Sequence, residues 1–408
     1  MSHPQTERLH ALDAVRALAL LLGILLHASM SFLPGPQIWV TQDVAAGEGF
    51  SFAFLVPHIF RLTLFFFIAG FFARMAIEKR GVIGFLGDRG KRIALPLVIF
   101  WGPLFAMITA VFIWGFLKAN GGVVPEGTPP PPPLELATLP LTHLWFLYLL
   151  LIFYVVAAAL YLVTRLGGRS EAGQNPFDRL AALILKTPIG IAVLAAPIGI
   201  WFWLSPAWFA WFGIPTPDTG FVPDNGALIA YGVAFAAGWL VQGQSGLLES
   251  WRRWWPVNTA LALAATAVCV LQLGLVPDFV PPAPGPDKAI LAASYAIASW
   301  AWTLAITGLA LQFWSGHSRI RRYLADSSYW LYIMHLPLVM ALQVMVSDLA
   351  WPGEAKFALV LAITLVILLG SYQLLVRNSW LGAWLNGRRY GRKPAAAEPA
   401  FDQQAAQS

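Results

Sequence analysis

Leu12-Asp-Ala-Val-Arg16-Ala-Leu-Ala-Leu-Leu-Leu-Gly-Ile-Leu-Leu-His27-Ala-Ser-Met-Ser-Phe-Leu33 is an apolar run that carries Asp13, Arg16 and His27 along its length. About 20 apolar residues suffice for a helix to cross a bilayer core, so this run reads as a membrane span. Nine further stretches meet the same measure, near 50–77, 93–117, 143–164, 187–210, 226–243, 257–276, 289–314, 328–347 and 357–376. Together they predict an all-α, polytopic helix bundle of about ten transmembrane helices. The spans fill one domain over 12–376, between a short N-terminal segment (1–11) and a tail (377–408) that is basic and then Ala-, Gln- and Pro-rich, as disordered chain is.

The composition points the same way. Of 408 residues, 58% are hydrophobic and only 11% charged, where a soluble chain carries about 25%. So few charges cannot cover a water-facing surface, and the bilayer becomes the solvent and the first partner. The net charge of +6 does not indicate nucleic acid, because the basic residues sit between apolar segments rather than among aromatics on one soluble face. The single cysteine, Cys269, excludes an internal disulfide and a cysteine redox pair. The first apolar run holds Asp13, Arg16 and His27 and lacks an obvious A-x-A cleavage site, so it is expected to stay in the mature protein rather than serve as a signal peptide.

Lys and Arg set the orientation. One set of connections carries Lys79, Arg80, Arg89, Lys91 and Arg92, then Arg165, Arg169, Arg179 and Lys186, then Arg252, Arg253, Arg319, Arg321 and Arg322. The tail adds Arg377, Arg388, Arg389, Arg392 and Lys393. The alternate connections hold Lys118, Lys288 and Lys356 beside Asp43, Glu48, Asp218 and Asp224. Both termini are therefore expected in the cytoplasm. Pro129 to Pro133, in an outer connection, reads as an extended spacer.

A charge inside a span is costly and asks for a reason. Arg16 and His27 are three turns apart on one face, roughly 16 Å by helical rise, and Asp13 can pair with Arg16. The same three residues would equally serve as an anchor and an interhelical hydrogen bond. In Phe54-Leu-Val-Pro-His58-Ile-Phe-Arg61 the arginine is too deep to reach the surface easily, so it faces protein, water or an anion. Gly70, in Phe65-Phe-Phe-Ile-Ala-Gly70-Phe-Phe72, permits close helix approach. Arg89 and Arg92, in Asp88-Arg89-Gly-Lys-Arg92-Ile-Ala-Leu-Pro96, suit phosphate, and suit simple orientation as well. His143-Leu-Trp145 opens the fourth span, and Tyr329, Tyr332 and His335 recur every three residues along the ninth. No nucleophile elbow, phosphate loop or zinc motif is present. Histidine remains as the group able to take a proton from a hydroxyl near neutral pH.

These residues carry a resemblance. Arg16, ten intervening positions and His27, followed by Arg89-x-x-Arg92 with Pro96, resemble the hallmarks of the membrane-bound acyltransferase family 3. Phe65 to Phe72 looks like its aromatic-Gly run, with Ala69 in place of the usual Ser. His143 to Leu147 and Tyr329 to Pro337 resemble the branch that contains osmoregulated periplasmic glucan succinyltransferases. The resemblance implies a bacterial inner-membrane O-acyltransferase that moves a succinyl or acetyl group from acyl-CoA, a donor substrate rather than a bound cofactor, to a hydroxyl of an envelope glycan. It implies an essential His27, and on that reading Arg61 and Asp13 join it in catalysis while Arg16, Arg89 and Arg92 bind the donor phosphates. His58, His143, Trp145, Tyr329, Tyr332 and His335 would then meet substrate. His27 would deprotonate the acceptor or carry the acyl group in transit. A transporter or flippase of an already acylated product is the alternative from another class.

Overall fold

The structure, a computed structural model, describes residues 3–36, 39–166, 183–187 and 189–387. The expected disordered tail, with Arg388, Arg389, Arg392 and Lys393, lies outside these residues, as do Arg169 and Arg179. Ten long helices follow one another: α1 His3–Ser29, α2 Gly49–Arg89, α3 Leu95–Ala119, α4 Trp145–Leu166, α5 Ile189–Leu204, α6 Asn225–Gln242, α7 Ser245–Leu273, α8 Pro286–Phe313, α9 Arg319–Val346 and α10 Gly353–Ser371. A short helix, α11 Trp380–Asn386, closes the described chain. Among the described residues the one β feature is an isolated bridge between Pro140 and Thr219.

Among the described residues, eight stretches are long and apolar enough to cross a membrane. One of them, Gly49–Ala119, runs for 71 residues, roughly 105 Å at helical rise, more than three times a bilayer core. It crosses and returns. At its start, Gly353 stands against Phe50, and near its end Gly115 stands against Val40 on that same face. Its middle, the π turn Gly90–Ala94, meets α11 through Trp384, whose Nε1 donates to the Lys91 carbonyl at 2.6 Å. The 16-residue α5 is apolar but short. Counting the doubled stretch twice gives nine crossings among the described residues, with the short α5 standing where the sequence predicts another, and the chain is a multi-pass helical membrane protein.

Both described ends meet on the basic face. The His10 ring lies 5.6 Å from His317, and Asn386 donates to the Asp326 carbonyl at 2.9 Å. Several helix ends differ from the sequence reading. The second helix continues to Arg89 instead of ending at 77, because Glu78, Lys79 and Arg80 are good helix formers. A change of solvent does not end a helix, and Gly81, at φ 70°, only kinks it. For the same reason α7 begins at Ser245 rather than 257, and α9 at Arg319 rather than 328, capped by the Ser318 hydroxyl. The fifth helix stops at Leu204 rather than 210, and the rest of that apolar run packs as a loop with Trp208 and Trp211 buried.

The expected role of Gly70 holds. A Cβ there would strike the Phe235 carbonyl, and one on Gly238 the Phe67 carbonyl, so α2 and α6 cross backbone to backbone. The Phe65-to-Phe71 run is buried throughout. Opposite the basic face, Lys356 of α10 reaches the Asp43 carboxylate in a fully buried ion pair. That pair fastens the loop after α1 over the bundle. Helix α1 itself is held between α2 and α9, and the polar side chains of these three helices converge there.

Candidate active site in two cavities

A cavity of about 510 Å³ opens toward the face opposite the basic one. Its wall takes His27 from α1, His58 and Arg61 from α2, Thr142, His143 and Trp145 from the turn into α4, and Tyr332 and His335 from α9. Residues more than 300 positions apart in sequence are neighbours here.

His27 Nδ1 lies 2.9 Å from His335 Nε2. His335 Nδ1 lies 2.7 Å from the Tyr332 carbonyl, which can only accept. With both rings neutral, His335 therefore carries its proton on Nδ1 and offers the Nε2 lone pair to His27. His27 must then donate from Nδ1, which leaves its own Nε2 with a free lone pair on the cavity wall. The backbone beneath is pinned as well: Gln343 donates to the His27 and Ala28 carbonyls, each at 2.9 Å. The Gln343 side-chain oxygen accepts from Trp39 Nε1 at 2.8 Å, and the Trp39 ring stacks on His27 with centroids 6.0 Å apart.

Around this pair several polar atoms have no protein partner. Arg61 packs against α1 where residue 23 is glycine; any Cβ there would stand 2.6 Å from its Nη1. Arg61 Nε, His58 Nδ1, His143 Nδ1 and Thr142 Oγ1 are all buried and unbonded. No described carboxylate pairs with Arg61. His58 is held by its other nitrogen, 2.6 Å from the Phe212 carbonyl, and His143 by its Nε2, 3.0 Å from the Ile333 carbonyl. The Tyr332 hydroxyl donates back to the His143 carbonyl at 2.6 Å. Trp145, expected to meet substrate, is buried in this wall.

A second cavity, about 240 Å³, lies on the basic face. It gathers Arg16, Arg89, Arg92 and Arg322 with Asp13, Asp326 and Tyr329. Here three of the four guanidinium groups are closely paired: Arg16 with Asp13 at 3.3 Å, Arg322 with Asp326 at 3.3 Å, and Arg92 with Asp88 at 3.2 Å, while Arg89 Nε is buried without a hydrogen bond. Arg89 stands 3.9 Å from Asp88 and stacks over the Phe85 and Tyr154 rings. Tyr329 donates to the Arg92 carbonyl at 2.7 Å. Asp13 therefore stands among the arginines and away from the His27 cavity. Tyr329 parts company with Tyr332 in the same way. The two cavities share Leu20, Phe65, Phe146 and Tyr332 as a common wall, with the Phe65 and Phe146 centroids 4.4 Å apart.

Sequence reasoning did not find Trp39, Gln343, Thr142 or Asp218. The first two lie in stretches of ordinary composition and gain meaning only by touching His27. Thr142 carries a signal visible only in the backbone, a φ of 53° in a β-branched residue. Asp218 lines the mouth of the larger cavity, where partial burial raises its carboxyl above the ordinary range. Among the described residues no group of three or more His, Cys, Asp or Glu could hold a metal ion.

A family model described as an acyltransferase domain, that of acyltransferase 3, matches residues 9–376, nearly the whole chain. No curated protein and no solved structure matches it.

Proposed function

The chain belongs to the acyltransferase 3 family, and from that premise we propose that it moves an acyl group from acyl-CoA to a hydroxyl of a periplasmic or envelope glycan, in a bacterial inner membrane. As an enzyme it is a membrane acyltransferase, and the transporter alternative gives way to that membership. The basic face would be cytoplasmic by the Lys/Arg rule, so that acyl-CoA meets the arginine-rich cavity and the acceptor meets the other.

One observation carries the reading: the His335 contact leaves His27 Nε2 as an unbonded lone pair in a cavity that also holds the unpaired Arg61. His27 Nε2 takes the proton of the acceptor hydroxyl as its oxygen attacks the thioester carbonyl. The new C–O bond forms, and the carbonyl oxygen becomes an oxyanion that Arg61 stabilises. Collapse breaks the C–S bond, and the leaving thiolate recovers the proton from His27. The same lone pair is the atom that would carry the acyl group if transfer ran through an acyl-histidine. In either route the His27 ring becomes cationic and its Nδ1–H bond to His335 strengthens. On the donor side, Arg16, Arg89 and Arg92 would grip the CoA phosphates by exchanging Asp13 and Asp88 for them.

The test uses purified protein in lipid nanodiscs with labelled succinyl-CoA or acetyl-CoA and a periplasmic glycan extract. Label should pass to glycan, with free CoA released, and donor-only incubation should reveal any acyl-protein. Failure to release CoA from either donor, by protein shown to be folded, overturns the reading.

A further inference from the structure

The mouth of the His27 cavity is built from two loops that fasten to each other. Leu141 N–H donates to the Asp218 carbonyl at 2.7 Å, and Gly220 N–H to the Leu139 carbonyl at 2.9 Å. Between them lies the Pro140–Thr219 bridge. Gly220, at φ 70°, lies where a Cβ would strike the Ala137 carbonyl, so a larger residue could not close this clasp. From the other side Trp101 Nε1 holds the Pro140 carbonyl at 2.9 Å. The register of the clasp places Thr142, Thr216, Asp218 and Thr219 on one wall.

Two of these residues are unfinished. Thr142 is kept at positive φ, a conformation that β-branched residues resist, because both of its neighbours are tied down. Leu141 is fixed to Asp218, and His143 is bonded at its ring to Ile333 and at its carbonyl to Tyr332. The forced turn leaves the Thr142 hydroxyl buried on the cavity wall without a partner. Backbone strain of this kind persists where the surroundings over-determine it, and it clusters at ligand sites. Asp218 is the one carboxylate lining the cavity. No described cation pairs with it, and its carboxylate meets only its own backbone. The same cavity is also lined by the aromatic rings of Trp39, Phe112 and Phe212.

We propose that this mouth is the binding site for an uncharged, polyhydroxylated acceptor, a neutral sugar residue. Asp218 accepts hydrogen bonds from two of its hydroxyls, and Thr142 bonds a third beside the one that reacts. The aromatic wall receives the C–H face of the ring. Two acceptor oxygens on one carboxylate match vicinal hydroxyls, and few polar groups in an apolar cavity fix orientation. The same carboxylate repels a uronic acid or a phosphorylated sugar, so it selects by charge as well as by hydrogen bonding. The inference rests on the acceptor being a glycan, and it adds which sugars are taken and by which residues.

The test is direct binding, without acyl donor, of two labelled probes to purified protein in nanodiscs: a neutral glucose oligosaccharide and its glucuronic-acid counterpart. Wild type should bind the neutral probe at least about tenfold tighter than the acidic one, the scale of a hydrogen bond to a charged group. Asp218→Asn should weaken the neutral probe about tenfold and bring the acidic probe up to it, a gain that mere loss of structure does not produce. Thr142→Val, which keeps the β-branch, should weaken the neutral probe alone. Lowering the pH through the raised Asp218 value protonates the carboxyl, so wild type should lose preference as pH falls while Asp218→Asn stays flat. Equal binding of both probes by wild type, or no binding of the neutral one, overturns the site. So does an unchanged preference in Asp218→Asn. Binding as expected with no acyl transfer from any acyl-CoA would overturn the enzymatic reading and leave the site standing.

Discussion

The two cavities differ in how they treat charge. On the basic face Arg16, Arg92 and Arg322 each have an aspartate within 3.3 Å. In the other cavity Arg61 has no carboxylate, and three further polar atoms are buried without partners. A paired guanidinium can trade one anion for another: a phosphate on Arg92 would release Asp88, which keeps Arg80 as its partner. An unbonded buried group is costly until something fills it, so the His27 cavity gains most from a ligand or transition state that does. The first arrangement suits holding and releasing a donor; the second suits chemistry.

The sharpest way to break this contrast is at the base. His27→Ala should lower the acyl-transfer rate about 100-fold or more, while the protein still inserts and accumulates. Retention of a tenth of the activity would remove histidine catalysis from the account. Next in size is His335→Ala, which frees the His27 tautomer. A hydrogen bond to a cationic ring is worth about 1.5–3 kcal/mol, so kcat should fall roughly 10- to 100-fold with the donor KM little changed. An equal rise in the donor KM would mean that His335 holds substrate instead.

On the basic face the effects should be smaller and fall on the donor. Arg89→Ala with Arg92→Ala should raise the acyl-CoA KM about tenfold, and lysine should substitute only in part. Asp88→Asn, which removes the competing anion, should lower that KM. Loss of insertion in the double variant would show that the two arginines orient the helix rather than bind. Least of all, Asp13→Asn should shift the donor KM about two- to fivefold, the scale of a partly exposed ion pair, without touching the pH profile of kcat. A collapse of kcat instead would return Asp13 to catalysis.

The spans, the basic face and the close approach at Gly70 were legible because each is written locally, in hydropathy, charge and size. Helix ends were less so. The stretches before 257 and before 328 are polar yet helical, since propensity continues where hydropathy stops. The histidines stood out because a span gives polar residues few other reasons to exist. Their division between two cavities was hidden. Tyr329 and Tyr332 share a helix face, but three residues of rise, roughly 4.5 Å, carry one of them past the common wall. Trp39 and Gln343 acquire a role only through contacts more than 300 positions apart, and Asp218 only through its clasp with Leu141, and no local pattern announces such contacts.

The wall of Leu20, Phe65, Phe146 and Tyr332 also bears on the cell's energy supply. In an energised membrane, the two recessed cavities would leave little more than these four side chains as insulation between them, and the voltage would fall mainly there. A unit charge crossing the full drop gains or loses about 2.3 kcal/mol per 100 mV. On the proposed route, an acyl arm passing through that wall would therefore have to fit it closely. A Leu20→Gly variant that loosened it would first be noticed as a proton leak.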